Sequence, residues 1–433
     1  MPPNILQIIV HDLGRELPCY GREAIRAPAL SKLAETGVVF TQHYACSTPC
    51  SPARGCLMAG RYAHESGLVG LAHKGWNYNE GERTVAHELA GAGYRTLLFG
   101  YQHERQGDPR ALGYADAWTE SRDAHAVAER AEAFFRSEAA GAAPFYLNCG
   151  FFEVHWSWDD PKYGMAPPAS VEVPGYLPDA PPVREDLARF YGCIRYMDAA
   201  VGRILDALEA SPVAPNTLVV FTTDHGIAFP RAKGTLYDPG VGTAMIARLP
   251  GGAAGLRVDA LVESVDFAPT LLELAGVPAP DGMRGASFLP ALRGEAFEGK
   301  DVVFFEKNYH DWYDPIRAVR THRYKLVRSF RDRMANAPLS ADLARSRAAR
   351  ALRPDALAVR PTEELYDLES DAGEEENRIN DPTLTQVRED LRARLGRWMR
   401  ETGDFLLGGE VPPPPMEKQA LDPPPGVAAR NGG

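Results

Sequence analysis

The sequence predicts an α/β protein with a mainly parallel sheet covered by helices on both faces, followed by a smaller C-terminal α+β subdomain with an antiparallel sheet. Two observations lead to this fold class. Short apolar runs alternate with helical patterns over the first 300 residues, and strand–helix–strand order is typical of parallel sheets because parallel neighbours need a crossover connection. From about residue 300 the pattern changes to strand-like runs joined by turns, with one helix at the end.

The elements of the first part follow from apolar periodicity and from glycine stops. In chain order they are a buried strand at 4–10, a helix at 27–37 that ends at Gly37, a strand at 38–44, a helix with a glycine stop and a strand within 82–100, a helix at 124–141, a strand at 144–152, a long amphipathic helix at 183–211 and a strand at 216–226.

The second part contains strand-like runs at 301–309, 316–330 and 363–371 and a helix at about 384–402. We therefore divide the chain into a catalytic domain at 1–300, a C-terminal antiparallel subdomain at 301–410 and a tail at 411–433. The tail is rich in proline and glycine, a composition that predicts an extended or disordered segment.

Composition limits the classes of partner. The 433 residues carry a net charge of -11, which argues against nucleic acid or an anionic membrane because either would favour a basic surface. The apolar run at 5–10 is too short for a membrane span, and we see no signal peptide, so the cytoplasm is the expected location. The six cysteines have no regular spacing and form no C-x-x-C pair, so neither disulfides nor zinc are expected. The composition leaves open whether the protein forms an oligomer.

Polar side chains follow four of the predicted strands. In open parallel sheets, ligands bind beyond the carboxyl ends of the strands. A single histidine in such a place is more often structural, but four strands that deliver such groups to one edge indicate a site. These residues are His11, Asp12, Tyr101, Gln102, His103, His155, Asp224 and His225.

Asp12, Asp224 and His225 could together bind a divalent metal. Carboxylate oxygens suit Ca²⁺ or Mg²⁺, and the imidazole makes Mn²⁺ more plausible than at an all-oxygen site. The alternative is that the two aspartates accept hydrogen bonds from turn or helix N–H groups. The residues themselves leave both interpretations open.

The stretch at 44–62 contains Cys46, Cys50 and Cys56. Pro52 suits the first turn of a helix, so Cys50 is expected at a helix N-terminus, where the positive end of the dipole favours anions. That position predicts a depressed thiol pKa and a reactive cysteine. Cys46 and Cys56 lack this context, and we interpret them as small buried hydrophobic residues.

Residues 50–54, with the sequence Cys-Ser-Pro-Ala-Arg, and the following Gly60 and Arg61 resemble the C-x-P-[SA]-R-x-x-x-[LM]-x-G-R signature of type I sulfatases. The likeness extends over most of the chain, and the segment at 67–96 is most similar to the sulfamidase and heparan-type branch. The resemblance implies an alkaline-phosphatase-like α/β fold and hydrolysis of a sulfate ester or sulfamate, carried by a small molecule or a saccharide.

The resemblance also implies the cofactors. A formylglycine-generating enzyme would oxidise Cys50 to Cα-formylglycine, whose hydrate would attack sulfur and then release the anion as the aldehyde re-forms. One divalent metal is implied, with Ca²⁺ favoured and Mn²⁺ or Mg²⁺ as alternatives. Its ligands would be Asp12, Asp224, His225 and residue 50, with His11 as a further ligand or as a partner that orients Asp12.

The remaining site residues are implied by their positions in the family motifs. Arg54 would hold the hydrate and offset its charge. Lys233, His155 and His103 would contact the transferred group or protonate the leaving oxygen. Tyr101 and Trp156 are candidates for contact with the substrate.

Two departures from the family pattern leave the substrate class open. The usual aspartate pair is His11-Asp12 here, and the usual Gly-Lys-x-His is Gly100-Tyr101-Gln102-His103. A phenol thus replaces a cation beside the transferred group, as in related phosphonate monoester and phosphodiester hydrolases. Such a hydrolase is the alternative function, and an inactive anion-binding relative is the lesser alternative.

Overall fold

The computed structural model describes residues 2–139, 141, 143–331, 339–353, 358–409 and 412–415. Of the tail predicted at 411–433, all but 412–415 lies outside these residues. The strands are β1 (Asn4–Val10), β2 (Val38–Phe40), β3 (His43–Tyr44), β4 (Arg95–Gly100), β5 (Asp116–Trp118), β6 (Phe145–Gly150), β7 (Thr217–Thr223), β8 (Met245–Arg248), β9 (Leu256–Val258), β10 (Val262–Glu263), β11 (Val303–Tyr309), β12 (Tyr313–Arg320), β13 (Tyr324–Ser329) and β14 (Glu363–Asp367). The α-helices are α1 (Pro28–Thr36), α2 (Cys50–Ala59), α3 (Ala63–Ser66), α4 (Val85–Gly91), α5 (Ala124–Ser137), α6 (Pro181–Glu209), α7 (Asp238–Val241), α8 (Phe267–Ala275), α9 (Leu289–Arg293) and α10 (Thr385–Glu401).

The predicted parallel sheet is confirmed. Among the described residues it has eight strands in the order β5-β4-β6-β1-β7-β8-β2-β9. Its pairs are parallel except for those of β8, which runs antiparallel to both β7 and β2. Only the four-residue helix α7 lies between β7 and β8. A parallel neighbour would need a longer crossover connection. The short connection lets β8 start at the edge of the sheet where β7 ends, so β8 runs antiparallel to β7.

Helices cover both faces of this sheet, as the sequence predicts. β1 is buried along its whole length, and its side chains alternate between the faces. Leu6, Ile8 and Val10 join a core that contains residues of α1, α5 and α6. Ile5 and Ile9 join a second core with residues of α2, α4, α8 and α9.

The C-terminal subdomain is also confirmed as an antiparallel sheet, with β11, β12, β13 and β14 adjacent in that order. α10 packs on it, because Leu391, Leu395 and Trp398 share a core with Val319 and Leu326. The division at residues 300 and 410 stays a prediction.

The strand predicted at 38–44 is split in the structure. β2 belongs to the main sheet, whereas β3 pairs with β10 in a separate two-stranded sheet. The chain changes partners between the strands, since Thr41 N–H donates to Val258 O and Gln42 O accepts from Val262 N–H. β5, β8 and β9 were missed by the sequence analysis because each has only three or four residues. Within the described residues, no helix combines the length and apolar character needed to cross a membrane.

Candidate active site

Helix α2 places Cys50 and Arg54 in the interior of the protein. It begins at Cys50, with Pro52 in its first turn as expected, and all ten of its residues are buried. Residues four apart lie on one face of a helix, so Cys50 and Arg54 point to the same region. Arg54 Nε donates to Asp224 Oδ2 at 3.2 Å and Nη2 donates to Val10 O at 3.2 Å.

The ends of β1 and β7 bring Asp12 and Asp224 together. These strands pair in parallel with Val10 opposite Thr223, so the residues that follow meet at one edge. Asp12 has a left-handed backbone (φ 51°), which Asp tolerates better than most residues. Its N–H donates to Asp224 Oδ1 at 3.0 Å.

Four of the predicted ligands converge on one point. His11, Asp12, Cys50 and Asp224 each offer a ligand atom, and these atoms all lie within 4.8 Å of one another. The Nε2 atom of His225 joins them, 3.2 Å from Asp12 Oδ1. The Nδ1 atom of His11 lies 2.8 Å from Asp224 Oδ2, and its Nε2 atom is buried without a hydrogen-bond partner among the described residues. Two carboxylates beside an imidazole nitrogen without a partner fit a divalent cation well.

The charges around the two carboxylates keep them ionised. Burial alone would raise the pKa of Asp12, but Lys233, His155 and His225 lower it well below the usual range. Burial would also raise the pKa of Asp224, but His11, His225 and Arg54 outweigh burial and lower this pKa well below its ordinary value. Two ionised carboxylates therefore face residue 50.

The expected depressed pKa of Cys50 is wrong. Burial raises its pKa well above the ordinary value, and the charges of Asp12 and Asp224 raise it further, against the opposing effect of Lys233 and Arg54. Desolvation and two adjacent anions thus outweigh the helix N-terminus. As expected, Cys46 and Cys56 are fully buried in an apolar cluster.

Lys233 lies on the other side of Asp12, in contact with His155. Its Nζ donates to Asp12 Oδ2 at 2.7 Å and lies 3.2 Å from His155 Nε2. The Nδ1 atom of His155 contacts the carbonyl oxygen of Trp156. If Nδ1 carries the proton, Nε2 is the acceptor for Lys233.

Sequence reasoning missed Asp342. Its Oδ2 accepts from Lys233 Nζ at 3.1 Å and lies 3.9 Å from His155 Nε2. Burial would raise its pKa, but Lys233 and His310 outweigh burial and hold the pKa below normal. No motif marks the irregular segment that contains Asp342, so nothing in the sequence connects it with the sheet edge.

The three other predicted residues surround this cluster. The ring of Tyr101 lies 5.1 Å from that of His11, and Arg54 Cζ lies 5.7 Å from the Tyr101 ring centre. His103 stacks on His73, with 3.1 Å between His103 Nε2 and His73 Nδ1. Trp156 is partly buried, and Arg345 Cζ lies 5.2 Å from its ring centre.

A buried cysteine at a helix N-terminus thus lies beside side chains that could hold a metal ion, at the edge of a sheet of the alkaline-phosphatase-like α/β class. The chain belongs to the sulfatase family, whose profile, described as Sulfatase, matches residues 3–277 and thus more than half of the chain. A second profile, described as N-sulphoglucosamine sulphohydrolase, C-terminal, matches residues 226–340.

Two curated relatives extend along nearly the whole chain. An ulvan-active sulfatase of Formosa agariphila is 28% identical and covers 93% of this chain and 75% of its own length. The N-sulphoglucosamine sulphohydrolase of Homo sapiens is 28% identical and covers 93% of this chain and 91% of its own length.

One solved structure with the same fold is a phosphonate monoester hydrolase of Agrobacterium radiobacter. It has a TM-score of 0.73 and 21% sequence identity, and the match covers 94% of this chain and 97% of that chain. Another was solved in complex with its substrate D-glucosamine-2-N,6-O-disulfate, with a TM-score of 0.74, 18% identity and coverage of 93% and 99%. At these identities they establish the fold alone.

Proposed function

We propose that the protein hydrolyses a sulfate ester or a sulfamate of a saccharide or other small molecule, with a nucleophile made from Cys50 by oxidation to formylglycine. The position of Cys50 carries this proposal. Its Sγ lies 3.1 Å from His225 Nε2 and 4.0 Å from Asp12 Oδ1 at the first residue of α2. Similarity to the N-sulphoglucosamine sulphohydrolase over 93% of the chain supports an N-sulfated sugar as substrate.

One divalent cation would be held by Asp12, Asp224, His225 and residue 50. Ca²⁺ is our first choice because carboxylate oxygens dominate the donors, with Mn²⁺ and Mg²⁺ as alternatives. When bound, it would neutralise the two carboxylates and polarise the oxygen of the nucleophile. His11 Nδ1 lies 2.8 Å from Asp224 Oδ2 and 3.6 Å from Asp12 Oδ1. If His11 does not bind the cation itself, it would therefore orient Asp224 rather than Asp12.

The cationic side chains would handle the rest of the reaction. Arg54, fixed by Asp224 and the carbonyl of Val10, would hold the nucleophile and offset its charge. Lys233 would donate a hydrogen bond to an oxygen of the sulfuryl group. His155 and His103 would contact the transferred group or the leaving atom; burial lowers the pKa of His155 to about 3 and that of His103 well below its ordinary value, so both imidazoles are neutral near pH 7. Conversion of Cys50 to formylglycine would require a formylglycine-generating enzyme. A cytoplasmic location of the protein stays a prediction.

Tyr101 favours the second candidate function, hydrolysis of a phosphonate monoester or phosphodiester at the same site. A phenol whose pKa burial raises above its ordinary value adds no positive charge beside the transferred group. An inactive anion-binding role is the lesser alternative, and the presence of Cys50, Arg54 and Lys233 in one cluster argues against it.

Parallel rate measurements on an aryl sulfate, N-sulfoglucosamine, an aryl phosphodiester and an aryl phosphonate test the proposal. The protein should be produced together with a formylglycine-generating enzyme, with Cys50→Ala as the matched control. We expect the sulfated compounds to have the highest kcat/KM and all turnover to be lost in Cys50→Ala. Faster turnover of the diester, or equal rates in the control, would overturn the proposal.

A further inference from the structure

Asp342 places a carboxylate at the outer side of Lys233. Lys233 bridges Asp342 and Asp12, with Nζ 3.1 Å from Asp342 Oδ2 and 2.7 Å from Asp12 Oδ2. The side chain of Asp342 is 18% exposed, whereas that of Asp12 is fully buried. A group that approaches Lys233 from solvent therefore meets Asp342 and not Asp12.

The carboxylate of Asp342 is held in place by its own segment. The Ser340 hydroxyl donates to Oδ1, and Leu343 N–H donates to the same oxygen at 2.9 Å, which leaves Oδ2 facing Lys233. Leu343 is fully buried in the main core, and Ala341 N–H donates to Asp311 Oδ2 at 2.9 Å. Because this group is already ordered, an interaction with a ligand loses little conformational entropy.

Lys233 has no spare donor in this arrangement. An ammonium group has three N–H donors, and the structure gives them three partners in Asp12, Asp342 and His155. A substrate oxygen that binds Lys233 must share or displace one of these. Asp12 is fully buried, whereas Asp342 and His155 are 18% and 19% exposed, so Asp342 is the anionic partner that solvent reaches. A carboxylate that loses its cation needs a new donor, since an unpaired anion in a partly buried place is unfavourable.

We propose that Asp342 is a specificity-determining residue, which accepts a hydrogen bond from a hydroxyl or ammonium group of the substrate next to the scissile sulfate. The same charge repels a second anionic group at that position. The inference rests on the proposed function, because it requires Lys233 to bind the sulfuryl oxygens. It adds the substrate class: sulfates or sulfamates with a neighbouring donor, rather than sulfates with a neighbouring carboxylate.

Two aryl sulfates that differ only in the group beside the ester test this inference. One carries an ortho hydroxymethyl group and the other an ortho carboxymethyl group, and an unsubstituted aryl sulfate reports the basal activity. We expect the wild type to have the higher kcat/KM for the hydroxymethyl compound. Asp342→Asn should lower the ratio of the two constants by about tenfold or more. Differences in leaving-group reactivity cancel when this ratio is compared between proteins.

Asp160→Asn is the control, because Asp160 is an exposed carboxylate that lies beside Lys162 and not beside Lys233. This control should keep the wild-type ratio within twofold. Ser340→Ala, which removes a donor to Asp342, should shift the ratio in the same direction as Asp342→Asn but less. If circular dichroism shows that Asp342→Asn does not fold, the Ser340→Ala result decides.

The inference would be overturned if Asp342→Asn left the ratio of the two kcat/KM values unchanged, or if it lowered kcat/KM equally for all three compounds. In either case, turnover of the unsubstituted aryl sulfate by the wild type would still support the proposed function. Absence of turnover of every sulfate by the matured wild type would instead overturn the proposed function, and the inference with it.

Discussion

The Nε2 atom of His225 lies 3.1 Å from the sulfur of Cys50, within the same group of side chains that holds Asp12 and Asp224. Cys50 is 2% exposed and its pKa is raised by burial, so at neutral pH the thiol stays protonated and is a poor nucleophile. In the proposed function, the chemistry at residue 50 would therefore depend on a different functional group there and on a cation that offsets the two carboxylates.

Asp224 connects the proposed metal ligands to Arg54, and its replacement should abolish metal binding. Asp224→Ala takes away a ligand and also the acceptor of Arg54 Nε. We expect metal bound per chain, measured by inductively coupled plasma mass spectrometry, to fall below about a tenth of the wild-type value. Sulfatase kcat should fall by about a hundredfold or more. The exposed Asp160→Ala is the control, and a variant at 224 that keeps both metal and full activity would refute the assignment.

Tyr101→Lys tests whether the phenol sets the substrate class. A cation beside the transferred group is worth about 2–4 kcal/mol in a transition state that reaches it, and about 1.4 kcal/mol of differential stabilisation changes a rate ratio tenfold. A diester carries an extra substituent that crowds a long cation, so we expect the ratio of sulfatase to phosphodiesterase kcat/KM to rise. Tyr101→Phe, which keeps the packing on His11, should leave it unchanged. A parallel loss of both activities in Tyr101→Lys would mean that Tyr101 only packs.

Glu306 gives a pH dependence of stability. Burial would raise its pKa, but His64 and Arg317 outweigh burial and lower it from 4.5 to about 2. Because the folded pKa is depressed, the stabilisation is present above the unfolded value and is lost as pH falls from about 4.5 towards about 2. Its size at pH 7 is about 3 kcal/mol.

Glu306→Gln should therefore lower the urea midpoint at pH 7, and the gap to wild type should narrow below about pH 4.5. Glu363→Gln, which breaks a more exposed pair with Arg392, should change stability by about 1 kcal/mol or less. A gap for Glu306→Gln that does not vary between pH 6 and pH 3.5 would contradict this explanation.

The sequence predicts the long periodic elements well for a physical reason. The surroundings of β1, α6 and β7 stay the same along the length of each element, so the pattern of apolar residues is enough to predict them. Asp12 and Asp224 could be placed at one edge because parallel strands end together. Short strands such as β8 carry too few residues for a period to appear, and their direction depends on the connection before them.

The rest of the candidate site depends on tertiary contacts. Asp342 reaches Lys233 across 109 positions of sequence, from a segment without strand or α-helix, and no local pattern encodes that contact. The direction of the Cys50 pKa was wrong because the helix N-terminus is visible in the sequence, whereas complete burial beside two carboxylates is not.

The state of residue 50 is the central claim, and mass spectrometry of the tryptic peptide 33–54 tests it most directly. This peptide contains both Cys46 and Cys50, so Cys46 serves as an internal control that alkylates as a thiol. In protein made together with a formylglycine-generating enzyme, we expect an aldehyde at residue 50, a thiol at residue 46 and sulfatase activity in proportion to the aldehyde fraction. A fully unmodified Cys50 in a fully active preparation would contradict the account.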